Sequence, residues 1–409
     1  MAELFPRLRP LDAFPVQHDG ERSIALRDPS GYTDAVVVLP RVMLEIVSLF
    51  DGEHSILDIQ AAIMRRRGEL IPRERIEEVV DAFDEQGLLD SSRFAERRAA
   101  VEREFLGAPT RPAAHAGGAY AADPAELRAV FDGFFVPPAG PGPIDGRPGS
   151  GAAVRAVIAP HIDFHRGGPA YAWAYHELAE RSDADLFVIF GTCHAGMEHP
   201  FALTRKDYAS PLGAAPVARD VVEALAARAR QDCFGSEPAH RAEHSIEFQA
   251  VFLRYLYAGR RDFEIVPVLT NFAHEAMLHG RRPDDDPRIP RFLDALAETL
   301  AASGRRVGFV AGADLAHVGP RFGDPEPVSP AELARIGNED RAMLSAVEAG
   351  DPEAFFASVA RAEGRRRICG FSPIYALLRA LGGARGTLRR YGRWPDPQGV
   401  VTFASVVFT

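Results

Sequence analysis

The sequence predicts an α/β fold, a mostly parallel sheet flanked by helices, preceded by a small winged-helix domain. Three observations carry this expectation. A chain of 409 residues exceeds one ordinary core and points to two domains. Beyond about residue 150, apolar runs of strand length alternate with stretches of helical periodicity, as in a parallel sheet covered by helices. The first hundred residues instead show a hairpin signal and then short helices.

Ile24 to Arg27 and Thr33 to Leu39 are extended runs around the turn residues Asp28, Pro29, Ser30 and Gly31. Arg41 to Phe50 is amphipathic and stops at Asp51-Gly52. Ser55 is an N-cap residue for a helix over Ile56 to Arg66. Pro72 opens a third helix, Arg73 to Gln86, which Gly87 closes. Residues 1–95 therefore form the winged-helix domain, 96–110 a charged helical connector and 111–409 the α/β domain. The Gly/Pro-rich stretch 137–151 reads as a surface loop. Strands follow over Arg155 to Ala159, Asp185 to Phe190, Glu264 to Leu269 and Val307 to Ala311, and the tail Val400 to Phe408 is β-rich. Helices are expected over Gly168 to Ala179, Val217 to Ala227, Glu243 to Tyr257, Arg291 to Ala302 and Pro373 to Leu381.

Composition narrows the function. The net charge of −10 repels phosphate backbones, so nucleic acid is not an expected partner. Three cysteines, Cys193, Cys233 and Cys369, are too few and odd in number for a disulfide scaffold, which suggests a reducing compartment. The N-terminus lacks the apolar core of a signal peptide, and no window approaches the roughly 18 apolar residues of a spanning helix. A cytoplasmic protein without a membrane partner is expected.

In open α/β sheets, ligands sit beyond the carboxyl ends of the strands. Here those ends deliver His161, His194, Asn271, and Asp314 followed by His317. Any one histidine is readily a surface or hydrogen-bonded residue; three at one edge favour a shared site. Converging neutral imidazoles suit a divalent metal. The third ligand is a carboxylate or a thiolate, and Cys369 lies just before a helix, where a thiol is expected to have a lowered pKa. The alternative for Cys369 is a small buried apolar side chain.

Motifs along the chain then resemble a known family. AVIAPH (156–161), VIFGTCH (188–194), Ser210-Pro211-Leu212, EHSIE (243–247), EIVPVL (264–269), GADLAHVGPRF (312–322) and ICG (368–370) with Pro373-Ile374 stand in the order of the MEMO family's motifs. AHAGGAYAADPAEL (114–127) is similar to that family's opening segment. The likeness spans about 111 to 409. It implies the fold of class III extradiol dioxygenases. Bacterial members are named AmmeMemoRadiSam system protein B, after a neighbourhood shared with radical-SAM proteins. The resemblance implies His161, His194 and Cys369 as metal ligands, Cys369 standing where a ring-cleaving dioxygenase has a glutamate. It implies Asp314 and His317 as catalytic residues, with His317, oriented by Asp314, as acid/base. His244 and Glu243 would wall the pocket. The cofactor expected is a divalent or redox metal, iron or copper ahead of zinc. A softer His/His/Cys set makes ordinary ring cleavage doubtful.

The chain departs from the family at APH-IDFHRGG, where Asp163, His165 and Arg166 add polar groups to the pocket mouth, implying a different substrate. Cys193 replaces a serine and is a candidate fourth ligand or redox partner of Cys369. These features imply a metal-dependent redox or oxygen-activating enzyme acting on a small molecule or peptide. The alternative is a non-catalytic binding protein with a vestigial pocket. A minor alternative is a zinc protease, because His240, Glu243 and His244 spell H-x-x-E-H.

Residues 36–59 and 72–90 resemble PqqD-like domains, which implies a peptide or protein client recognised by strand addition. A docking module without a peptide client is the alternative. DNA binding is disfavoured because the third helix is acidic.

Overall fold

A computed structural model describes residues 4–18, 20–144, 151–362, 364–396 and 398–409. Their contacts divide the chain into two compact units, Met1–Gly107 and Ala108–Thr409.

In the first unit, β1 (Asp12–His18), β2 (Glu21–Arg27) and β3 (Val36–Leu39) form an antiparallel sheet in that order. The β2–β3 hairpin sets Arg27 opposite Val36. Asp28 holds its turn by accepting the N–H groups of Ser30 at 2.9 Å and Tyr32 at 2.8 Å, the local bonding that makes aspartate a turn residue. β1 was not anticipated; its run Asp-Ala-Phe-Pro-Val-Gln-His carries an internal proline, which weakens a run as a strand signal. Helices α1 (Arg41–Val47), α2 (Ile56–Arg67), α3 (Arg73–Glu85) and α4 (Ser92–Gly107) follow. Ser55 caps α2 in a capping box with Asp58. Ile59, Ile76, Phe83 and Leu88 pack this unit's own core. Residues 96–107 of the expected connector are the body of α4, inside this unit.

The second unit holds β4 (Thr110–Arg111), β5 (Ala156–Ala159), β6 (Leu186–Thr192), β7 (Phe201–Leu203), β8 (Asp207–Tyr208), β9 (Glu264–Thr270), β10 (Val307–Gly312), β11 (Asp314–Val318), β12 (Gly386–Trp394) and β13 (Val400–Phe408). Eight of them make one sheet, in the order β11-β13-β5-β10-β6-β9-β7 with β12 on β13. The four middle strands are mutually parallel. Their apolar runs are buried on both faces, as a helix-covered parallel sheet requires. The margins are antiparallel, so the sheet is mixed. Periodicity signals a strand but not its direction, and β11 and β12 escaped the sequence reading.

Helices α5 (Pro124–Phe134), α6 (Phe164–Arg181), α7 (Arg219–Ala229), α8 (His244–Tyr257), α9 (Ala273–Leu278), α10 (Arg288–Ser303), α11 (Pro330–Ala349), α12 (Pro352–Ala360) and α13 (Phe371–Leu381) surround the sheet. Of the expected loop 137–151, residues 145–150 lie outside the described residues; 137–144 hold neither helix nor strand. No helix among the described residues is long and apolar enough to cross a membrane. Parallel pairing puts the carboxyl ends of β5, β6 and β10 at one edge, and the histidines gather there.

Candidate metal centre

His161 follows β5 by two residues and is 2% exposed. Its Nδ1 lies 2.9 Å from the Gly312 carbonyl at the end of β10. A carbonyl only accepts, so Nδ1 carries the proton and Nε2 presents a lone pair. That Nε2 is 3.0 Å from Cys369 Sγ. Burial pushes His161 down to about 3, which keeps the imidazole neutral, the state a metal needs.

His194 follows β6. Its backbone N–H donates to Glu243 Oε2 at 2.8 Å, and its Nδ1 lies 3.0 Å from Glu243 Oε1. The carboxylate thus fixes the ring with Nε2 turned outward. Burial alone would raise Glu243, yet the imidazoles of His194 and His244 hold its carboxyl well below the usual range. Glu243 also accepts the Ser245 N–H at 2.9 Å, so it caps α8. A carboxylate behind a ligating histidine is the usual outer support of a metal site.

Cys369 sits just before α13, with Gly370 between. Thr192 at the end of β6 donates to the Cys369 carbonyl at 2.8 Å, and Gly370 N–H donates to the Asp314 carbonyl at 3.0 Å. A Cβ at Gly370 would fall 2.5 Å from that carbonyl oxygen, so only glycine permits the approach. The expected lowering of the thiol pKa is wrong: burial pushes it well above its ordinary value, and the Asp314 charge adds to this. Loss of water outweighs the helix N-terminus.

The donor atoms of His161, His194 and Cys369 all lie within 4.8 Å of one another, as do those of Asp314, His317 and Cys369 and those of His194, Glu243 and His244. The first set has the chemistry of a soft metal site: two imidazoles and a sulfur, with one nitrogen of each ring already engaged by Gly312 or Glu243. Asp314 accepts the His161 backbone N–H at 3.0 Å, and burial raises its carboxyl to about 6. His317 is held at Nδ1 by the Leu315 carbonyl, 3.1 Å away, with the Asp314 carboxylate within 4.8 Å of its ring. The His244 ring stacks on His194, with centroids 4.7 Å apart, and meets His161 edge-on at 5.3 Å.

The remaining expected site residues join none of these donor groups among the described residues, or do so in another way than expected. Cys193 is buried and donates to the Gly196 carbonyl at 3.3 Å; it joins no donor group among the described residues. Asp163, His165 and Arg166 occupy the N-cap and first turn of α6, where their contacts are to one another and to Trp394. The H-x-x-E-H reading is overturned. His240 lies in a separate 3-10 turn, Glu237–Arg241, while α8 begins only at His244. His240 is fully buried with both ring nitrogens engaged, by Tyr208 at 2.7 Å and the Ala202 carbonyl at 3.0 Å.

Sequence reasoning missed the support behind Glu243. Arg111 is fully buried. It donates to the carbonyls of His240 at 2.8 Å and Glu243 at 2.9 Å and pairs with Glu247. Glu247 also accepts the His115 N–H at 3.0 Å and the Tyr120 hydroxyl, and the His115 ring packs 5.7 Å from His244. The signals in the sequence were the second glutamate of EHSIE, one helical turn after the first, and the motif 114–127, which carries His115 and Tyr120 without showing what they meet.

Residues 111–406 match the Memo-like protein family. A MEMO1 family protein of Aeropyrum pernix is 33% identical over 298 residues, covering 71% of this chain and 94% of the relative. One from Aquifex aeolicus is 27% identical over 335 residues, covering 80% of this chain and 82% of its own length. One from Thermus thermophilus is 28% identical over 330 residues, covering 80% and 90%.

Proposed function

The chain belongs to the Memo-like protein family, and from that premise we propose that it is a metal-dependent redox protein with its metal on His161, His194 and Cys369. The observation that carries the reading is the convergence of these three donors while Gly312 and Glu243 occupy the opposite ring nitrogens. Iron or copper bound there would supply one-electron or oxygen chemistry. The chain's own groups would do the rest. Asp314, with its carboxyl near neutrality, and His317 hold and move a proton beside the sulfur. His244 walls the site.

The test is metal content and affinity of anaerobically prepared protein beside His161→Ala and Cys369→Ser. Stoichiometric iron or copper in the wild type, weakened at least about a hundredfold in both variants, supports the reading. Cys193→Ser keeps wild-type affinity. Equal affinity in wild type and variants overturns the site. Stoichiometric binding with no turnover by oxygen or a reductant moves the protein to a non-catalytic ligand binder.

For the first unit we propose recognition of a peptide client, linking the site to peptide modification. The supporting observation is β3, which pairs only with β2 among the described residues and so offers an edge for strand addition. A peptide encoded beside this gene is expected to shift the melting of this unit alone; a shift confined to the second unit overturns the reading.

A further inference from the structure

Sheet register builds a second patch beside the metal donors. On the antiparallel margin Trp394 pairs with Val401, and Val401 with His317. Directly paired residues share a face of the sheet, so these three side chains stand in one row. On that face Val401 and Phe403 pack with Ile162 and Ala170, and Phe322 and Trp394 lie half-buried against them. The Phe322 ring is 5.0 Å from His317. At the far end stands the first turn of α6. The Arg166 guanidinium lies 5.8 Å from the Trp394 ring centroid, and the His165 ring is 6.1 Å from it.

Arg166 uses only its Nε. That atom lies 3.7 Å from Asp163 Oδ2 and donates to His165 Nε2 at 3.2 Å. Its two terminal nitrogens make no hydrogen bond among the described residues, and the side chain is 28% exposed. From Cys369 the patch leads through His317 and Phe322, over Val401 and Phe403, to Trp394 and a fork of unused donors.

We propose that this patch is a binding subsite for a small planar monoanion, an aromatic or conjugated carboxylate. Its flat body lies against Trp394 and Phe322, and its carboxylate pairs with the terminal edge of Arg166. Aromatic side chains favour flat partners through offset and edge-on contact. The guanidinium fork matches a carboxylate in two parallel hydrogen bonds. Because Asp163 already faces the inner edge of the arginine, one negative charge fits better than the two of a phosphate monoester. The proposal deepens the metal reading, since it brings such a molecule next to His317 and the sulfur.

The experiment is calorimetric titration of benzoate into the full-length, metal-free protein and into Arg166→Gln, Arg166→Lys, Trp394→Leu and Cys369→Ser. Saturable binding is expected. It should weaken at least about tenfold in Arg166→Gln and in Trp394→Leu, and less in Arg166→Lys. Cyclohexanecarboxylate, of equal charge but not flat, should bind at least about fivefold more weakly than benzoate. Binding should persist in Cys369→Ser, so failure of the metal site and failure of this subsite are told apart. Absence of saturable binding overturns the proposal. So does an affinity unchanged by Arg166→Gln, checked to melt as the wild type does, or equal binding of the two acids.

Discussion

Glu243 binds the backbone and the ring of His194 at once, at 2.8 and 3.0 Å. Glu243→Gln keeps an acceptor but removes the charge that polarises the imidazole. Metal affinity, read by competition with a chelator, is expected to fall about 10- to 100-fold, and stability of the second unit by about 1 kcal/mol, because the same charged carboxylate caps α8. An unchanged affinity would reject the supporting role. Proton release belongs to the same scale. Burial holds the Cys369 thiol protonated well past neutrality, so metal binding as thiolate displaces one proton. The metal-free form carries that proton and the bound form does not. Affinity should therefore rise about tenfold per pH unit between pH 6 and 8, a slope that Cys369→Ser abolishes. His161, His194, Cys369, Asp314 and His317 were legible because each ends a strand or stands in a compact motif. Arg111, His115 and Tyr120 were not: their shared partner Glu247 lies 127 to 136 residues away, and no local pattern carries such a pairing. The expectation for the Cys369 thiol failed because a sequence shows the approaching helix but not the depth of burial.

Among the elements, β4 is two residues long, yet it delivers Arg111 into the second unit's interior. Arg111→Met would leave the Glu247 carboxylate buried beside Tyr120 with its cation gone. The expected cost is about 3–5 kcal/mol in denaturant unfolding of the second unit. Arg111→Met combined with Glu247→Leu should recover most of it, because no orphaned charge then remains. A double variant no better than the single one would show that Arg111 acts mainly through the His240 and Glu243 carbonyls. The start of α8 explains the failed protease motif. Helical spacing between His240 and His244 presumed one continuous helix, but the Glu243 side chain caps the helix at that point. Helices α2 and α3 were placed closely because their start signals, Ser55 and Pro72, are local. The antiparallel margin was read only as a β-rich tail, since the pairing of β13 with β5, β11 and β12 depends on distant chain segments.

Across the whole molecule, each unit has a separate core, so calorimetric heating should resolve two transitions. Metal at a hundredfold above its dissociation constant should stabilise only the second unit, by about 2.7 kcal/mol. A single transition that moves as one body with metal would show the two units to be thermodynamically coupled. Fold class and the positions of the central strands along the chain were legible from alternation, but not their order in the sheet; how the first unit is used was not legible either, because its residues form an ordinary small core. The bond from Thr192 to the Cys369 carbonyl closes the site across 177 residues. During synthesis at roughly 5–20 residues per second, both histidines would leave the ribosome about 9 to 35 s before the sulfur. A nascent chain can hold metal on two imidazoles for that interval, but only weakly. Lasting acquisition at the proposed site therefore has to wait until Cys369 and the start of α13 are made, so metal loading there would follow the synthesis of both histidine-bearing strands and cannot precede the closing of the sheet around them.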